Sequence, residues 1–364
     1  MIIDCHYHIF QPWTGPCRHP SQDIHKKYLQ SMLTATNARV YRIGDGEPAE
    51  TAALYHGEGS SWEDLNDVNF RVGRFGRLEF TVEDEDFAIQ FMPVGMQNIE
   101  APPEMAVAQM TYAGVDHCIL QAGGAYGIMS DDNAEAQKIF PEKITGLMWV
   151  HSPTAGEAQS LAEIDRAFHQ LGLRGIHYDI EGYTRQGYEW RMDDQRLAPF
   201  WEKLEALGIV VCIEIHGGPM PGEAGYRFQM EGLANLARRY PGLRWHMSLG
   251  LPVHHYWRDA SWDMPAEIAA IHSHENVFTE VTLPIFWGAK WDYPYPEGQA
   301  VIKGYRDKFG AERMLWGSDM PNVERYCTYK QSLDYILRYC DFLSAHEKDR
   351  FLGGNAAELY GIGG

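Results

Sequence analysis

Residues 196–216 read Arg196-Leu197-Ala198-Pro199-Phe200-Trp201-Glu202-Lys203-Leu204-Glu205-Ala206-Leu207-Gly208-Ile209-Val210-Val211-Cys212-Ile213-Glu214-Ile215-His216. Apolar side chains recur at helical spacing as far as Leu207, and Gly208 supplies the backbone freedom that commonly ends a helix. A short β-branched run follows, the mark of a buried strand. Helix feeding strand is the repeating unit of a parallel sheet. Outward from this stretch the unit recurs. Strands are predicted at residues 2–9, 116–121, 146–150, 173–178, 210–215, 243–248, 277–282 and 313–317. Helical stretches at 156–171, 196–207, 226–240, 264–274 and 298–309 fall between most of them, and Gly172, Gly208 and Gly310 stand just before the next strand. Eight repeats in one α/β chain favour closure into a (β/α)8 TIM barrel. An open doubly wound sheet is the competitor, but no G-x-G-x-x-G follows the first strand.

The rhythm breaks between the first two strands, at residues 11–115, which read as an insertion within one domain spanning 1–364. Inside it, Gly76-Arg77-Leu78-Glu79-Phe80-Thr81-Val82 and Phe87-Ala88-Ile89-Gln90-Phe91 flank an acidic turn and predict a β-hairpin. A long first loop lies on the face of a barrel that carries active sites, so a lid or wall is expected; an oligomerisation arm fits the loop length as well. After the last strand, residues 329–339 and 345–360 read as closing helices.

The 364 residues are 45% apolar and 22% charged, an ordinary globular balance. A formal charge of −19 repels phosphate backbones and argues against a nucleic-acid partner. No apolar run is long enough for a bilayer, so no membrane partner is expected. The opening Met1-Ile2-Ile3-Asp4-Cys5-His6 has neither a basic n-region nor an apolar h-region, and the six cysteines form no C-x-x-C. Reduced thiols and a cytoplasmic location are therefore expected.

In the first strand, Asp4-Cys5-His6-Tyr7-His8, residues two apart share a face, so Asp4, His6 and His8 are expected to point together. Two imidazoles on one strand can start a site for a divalent metal, although an isolated H-x-H pair is a weak signal. His216 ends the fifth strand and enters Gly217-Gly218. Asp319 follows the eighth, in Leu315-Trp316-Gly317-Ser318-Asp319-Met320-Pro321. A lone carboxylate there can equally cap the next helix, but in a closed barrel strand eight adjoins strand one. His6, His8, His216 and Asp319 then form a metal site that leaves a position for water, as catalytic sites do. Such a metal acidifies its water and polarises carbonyls.

These pieces, with Arg313-Met314 before the last motif and the tail Leu352-Gly353-Gly354-Asn355-Ala356-Ala357-Glu358-Leu359-Tyr360, resemble the amidohydrolase-2 (amidohydrolase-related) family of the amidohydrolase superfamily. That branch includes metal-dependent hydrolases and the aminocarboxymuconate- and resorcylate-type decarboxylases. The resemblance covers nearly the whole chain and is weakest across residues 11–76. It implies a barrel with one divalent metal, zinc first and manganese second, a small carboxylated substrate, and a homo-oligomer, most simply a dimer.

One feature departs from the family. Its usual strand-six His is absent: counting from Pro241, the slot holds Leu249. His246 lies three residues earlier and deeper, and His254 and His255 follow in the loop. The expected catalytic set is Asp319, as ligand and proton acceptor, with His246 and His255 as candidates for the missing base. A core or surface role competes for each histidine. His151 and His177 fit pocket lining. Trp257, Trp262, Trp287 and Trp291 fit either loop packing or an aromatic pocket wall. Among Arg185, Arg191, Arg227, Arg258 and Arg325, one could hold a substrate carboxylate. Three functions follow. The first is hydrolysis of an ester, lactone or amide of a small carboxylated, ring-bearing or unsaturated substrate. The second is non-oxidative decarboxylation of an aromatic or dienoic acid. The third is a non-catalytic metal- or ligand-binding barrel.

Overall fold

The computed structural model describes every residue except 35–38, 57–60, 181–182, 184–185, 216–221, 282 and 364. Strands Ile3–Tyr7 (β1), His117–Leu120 (β2), Ile144–Trp149 (β3), Gly175–Asp179 (β4), Val210–Glu214 (β5), Arg244–Ser248 (β6), Val277–Val281 (β7) and Met314–Trp316 (β8) pair side by side in chain order. All these pairings are parallel. The barrel closes between its ends: the His8 N–H donates to Met320 O at 2.8 Å and the Asp319 N–H to His6 O at 2.9 Å. Each strand is buried almost throughout, because one face meets the lumen and the other the surrounding helices.

The first strand departs from simple alternation. Its register against β2 shifts between Asp4 and Tyr7. Ile3 and Cys5 pack in the lumen with Leu147, Val210, Cys212, Phe278 and Leu315. Asp4 does not share the face of His6 and His8, as alternation predicts; it turns to β8. There its carboxylate accepts from the Ser318 N–H (2.9 Å), Ser318 Oγ (2.5 Å) and Tyr329 OH (2.8 Å), and also from the His6 N–H (3.0 Å). A side chain that captures the N–H two residues on competes with the strand ladder, and an irregularity of this kind re-aims the residues beyond it. Burial pushes Asp4 up to about 6, against the pull of these donors.

Helices Ala158–His169, Ala198–Leu207, Gly222–Arg239, Ala266–His272 and Pro296–Phe309 match the helical stretches read in the sequence. Pro103–Ala113 and Ser130–Ile139 complete the alternation. The second of these is mostly polar and buries only Ser130, Asn133, Ala134 and Ala136, so it carries no apolar stripe to read.

Within the insertion, Val40–Arg42, Pro48–Ala49, Arg71–Val72, Arg77–Val82 and Glu85–Gln90 form a five-stranded sheet. Its centre is the hairpin, paired from Arg77 with Gln90 to Val82 with Glu85. The turn residues Glu83 and Asp84 both have positive φ, 48° and 66°, as a two-residue type I′ turn requires. A separate core, including Phe10, Trp13, Leu29, Leu78, Phe80 and Ile89, backs the sheet.

The tail reads as one helix but is broken into Ala345–Asp349, a wide turn at Arg350–Gly354, and Asn355–Tyr360. The last segment places Ala356 and Leu359 in the lumen cluster and plugs the barrel floor. The break exists because the chain must pass close to the N-terminus: a Cβ on Gly353 would stand 2.1 Å from Met1 O. Gly353→Ala is therefore expected to lower the melting temperature by an amount equivalent to about 1–3 kcal/mol, as read by calorimetry. An unchanged melting temperature would remove this contact from the account.

Candidate metal centre

Four side chains, one from β1, one from just beyond β2 and two from β6, converge on Glu280 of β7, which is fully buried. His6 Nδ1 lies 2.8 Å from Oε1, and His246 Nε2 lies 2.9 Å from Oε2. Gln121 Nε2 donates to Oε2 at 3.2 Å and Ser248 Oγ at 3.0 Å. Burial opposes ionisation of Glu280, but His6 and His246 outweigh it and hold the carboxyl well below its usual range. A carboxylate on His6 Nδ1 keeps the proton there, so Nε2 of the neutral ring carries the lone pair.

That Nε2 meets two other donors. It lies 2.9 Å from His8 Nε2 and 3.6 Å from Asp319 Oδ1, and His8 Nε2 lies 3.3 Å from the same oxygen. Two ligands of one cation at about 2.1 Å each stand roughly 3.0–3.4 Å apart. The separations among His6, His8 and Asp319, 2.9–3.6 Å, bracket that spacing, and all three residues are buried. The electrostatics agree. Burial disfavours a charged His6, yet Glu280 and Asp319 overcome it and raise the group to about 10, so the cluster favours a positive charge. Burial raises Asp319, but His6 and His8 outweigh it and lower its pKa. His8 is lowered, chiefly by burial.

The motif around Asp319 has a steric reason. A Cβ on Gly317 would stand 2.7 Å from His6 and from Glu280, so the chain passes the cluster only as glycine. Asp319 adopts φ 60°, in the left-handed region that Asp tolerates better than most residues. Asn322 Nδ2 donates to Asp319 Oδ1 and to Tyr126 OH, at 2.7 Å each. The Tyr126 ring stacks on His8 at 3.9 Å. Asp319 Oδ2 makes no hydrogen bond with the described residues.

The structure thus brings His6, His8 and Asp319 together; His216 lies outside the described residues. His246 does reach the cluster, but from below. It is fully buried between Glu280 and Tyr360 OH (2.8 Å), deep in the barrel as its place before the usual slot suggested, and committed on both ring nitrogens. His255 is not brought there: its ring neighbours are His254, Tyr226 and Tyr256 on the outer side of the barrel. His151 is tied to Thr154 and Gln186. Trp257 and Trp262 pack on each other, as do Trp287 and Trp291. Arg191 pairs with Asp193 and Glu231, and Arg227 with Glu223 and Glu267. Arg258 donates to His255 O, and Arg325 lies over Phe91 and Tyr326; Arg185 lies outside the described residues. Glu280, Gln121 and Ser248 were missed in the sequence. The available signal was a lone acid inside the apolar strand Val277-Phe278-Thr279-Glu280-Val281.

A family model described as Amidohydrolase (Amidohydro_2) matches residues 3–362. The L-fucono-1,5-lactonase of Burkholderia ambifaria is 32% identical over 141 residues, 36% of this chain and 47% of the lactonase. The match thus spans about half the length of that relative. Among solved structures, a probable 2-pyrone-4,6-dicarboxylic acid hydrolase from Acinetobacter baumannii, with citric acid bound, superposes with a TM-score of 0.55 at 16% identity, covering 72% of this chain and 90% of that one. A dihydroxybenzoic acid decarboxylase from a Polaromonas species, with bound manganese and an inhibitor, gives 0.50 at 16% identity, covering 71% and 85%. At such identities the likeness is one of fold.

Because Glu280 orients His6, Glu280→Gln is expected to weaken divalent-metal affinity about 10–100-fold. Competition with a chelator of known affinity measures this. Unchanged affinity would mean that His6 is held by something else.

Proposed function

The chain belongs to the amidohydrolase family, and from that premise we propose that it is a metal-dependent hydrolase opening a small carboxylated lactone or ester. The observation that carries this reading is the convergence of His6, His8 and Asp319, with one Asp319 oxygen making no hydrogen bond among the described residues. A divalent cation held by these residues polarises a carbonyl and acidifies a water molecule. Asp319 Oδ1 faces the two histidines, and Oδ2 is the atom to take the proton from the attacking water. Glu280 fixes His6, and Tyr126 walls the site beside His8. The donor set suits zinc first and manganese second. The partial similarity to a lactonase supports a cyclic ester.

Decarboxylation is the second reading. It needs an acid aimed at the substrate carbon. The strand-six slot for such a group holds Leu249, and His246 is committed to Glu280 and Tyr360, so the geometry favours hydrolysis. The insertion at 11–115 acts in this proposal as a wall: its Trp13 packs against Tyr126 and against Phe10 just before it. A cytoplasmic location and a homodimer complete it. The former is supported by six unpaired, buried cysteines; among the described residues no helix is long and apolar enough to cross a membrane.

A pH-stat assay over a panel of aldono- and muconolactones, run beside carbon dioxide detection with hydroxybenzoates, tests the reading. Acid release from a lactone is expected, and Asp319→Asn is expected to reduce it at least about 10²–10⁴-fold. Carbon dioxide release without lactone opening would replace hydrolysis with decarboxylation.

A further inference from the structure

One polar group in the lumen is left unused by this chemistry. His177, on β4, pairs in register with Trp149 on β3 and Cys212 on β5, and its side chain is wholly buried. Among the described residues neither ring nitrogen has a hydrogen-bond partner. Buried side-chain nitrogens are bonded in the large majority of cases, and an exception calls for a missing partner. The nearest carboxylate oxygen, Glu214 Oε1 at the end of β5, lies 3.8 Å from Nε2, beyond direct hydrogen-bond reach. On the other side the loop after β2 passes as Gly123, whose φ is 148°; a Cβ there would still stand 4.0 Å from Nε2. Glu214 Oε1 and the backbone at Gly123 thus flank Nε2, neither within hydrogen-bond reach.

The charged and titratable groups around this ring are Glu214 on β5, His8 and His6 on β1, and His246 on β6. Burial is the largest influence and, with the three histidines, outweighs Glu214, holding His177 down to about 4. The ring is thus neutral near pH 7, with one N–H to give. The tautomer that directs it at Glu214 is electrostatically favoured. A single oxygen atom can then sit about 2.8 Å from both groups. Of common oxygen species, a hydroxyl satisfies both at once, accepting from the ring and donating to the carboxylate. A ketone, ether or carboxylate oxygen would face Glu214 with no proton to offer.

We propose that His177 and Glu214 form a subsite that grips one hydroxyl group of the substrate, so that the enzyme takes hydroxylated lactones or esters rather than unsubstituted ones. This rests on the proposed hydrolase reading, in which the substrate and its acid product occupy the lumen beside His8. It makes His177 a specificity-determining residue, distinct from the metal ligands.

The test is calorimetric binding of two six-carbon acids, D-galactonate and hexanoate, to metal-loaded protein. The comparison needs no turnover. One hydroxyl held by a charged and a neutral partner is worth roughly 10–100-fold in affinity. Galactonate should bind the unsubstituted protein at least that much more tightly than hexanoate. His177→Phe and Glu214→Gln should each reduce the ratio about tenfold or more, with metal content unchanged. His177→Gln, which keeps an N–H, should recover part of it. If His177→Phe fails to fold, the Glu214→Gln ratio decides alone. Equal binding of the two acids, binding of neither, or a ratio insensitive to both substitutions overturns the proposal. Failure of the hydrolase reading would appear separately, as no acid release from any lactone.

Discussion

A carboxylate shut away from water must be compensated by the groups around it, or its burial destabilises the fold. Glu280 meets this demand by recruiting His6 from β1, Gln121 from just beyond β2, and His246 and Ser248 from β6. Strands distant in sequence are thereby fastened at one point just under the barrel mouth. The arrangement also orders the layers of the lumen. Above Glu280 stand the imidazoles with their Nε2 atoms close together; below it His246 reaches Tyr360, whose helix plugs the floor. The floor, Glu280 and the His6–His8–Asp319 cluster form one connected column.

The second constraint is the seam between β1 and β8. Asp4 holds Ser318 and Tyr329, and the irregularity it induces turns His6 and His8 into the lumen toward Asp319. Gly317 lets the seam close against Glu280. The site is therefore assembled by barrel closure itself, and the candidate ligands His6, His8 and Asp319 lie on or directly after the two strands that close the ring. The insertion contributes from outside, through the aromatic contact of Trp13 with Tyr126, which in turn covers His8.

Much of this was legible from residue pattern. Strand–helix alternation, the H-x-H pair, the Gly317-Ser318-Asp319 turn and the hairpin around Glu83-Asp84 each have a local signal, because spacing within one element determines which side chains share a face. The support for the metal-facing residues had no such signal. Glu280, Gln121 and Ser248 are single polar residues in separate strands, and only the closed ring brings them together. The face shared by Asp4 and His6 was misread because alternation assumes an unbroken ladder, and Asp4 breaks it by taking the His6 N–H. His246 was legible as deeper than the usual slot, but its ties to Glu280 and Tyr360 were not, since the height of a residue in a barrel depends on strand stagger as well as on sequence. His255 was drawn in by its nearness to that strand, but the short helix Val253–Tyr256 carries it outward.

The central claim is that His6, His8 and Asp319 cradle a divalent cation. Elemental analysis of the purified protein, beside His6→Ala and His8→Ala, tests it most directly. The account predicts about one divalent metal per chain in the unsubstituted protein, as purified or after incubation with zinc or manganese, and a sharp loss in both variants while the fold persists by circular dichroism. A protein that takes up neither ion, or variants that keep their metal in full, would contradict it.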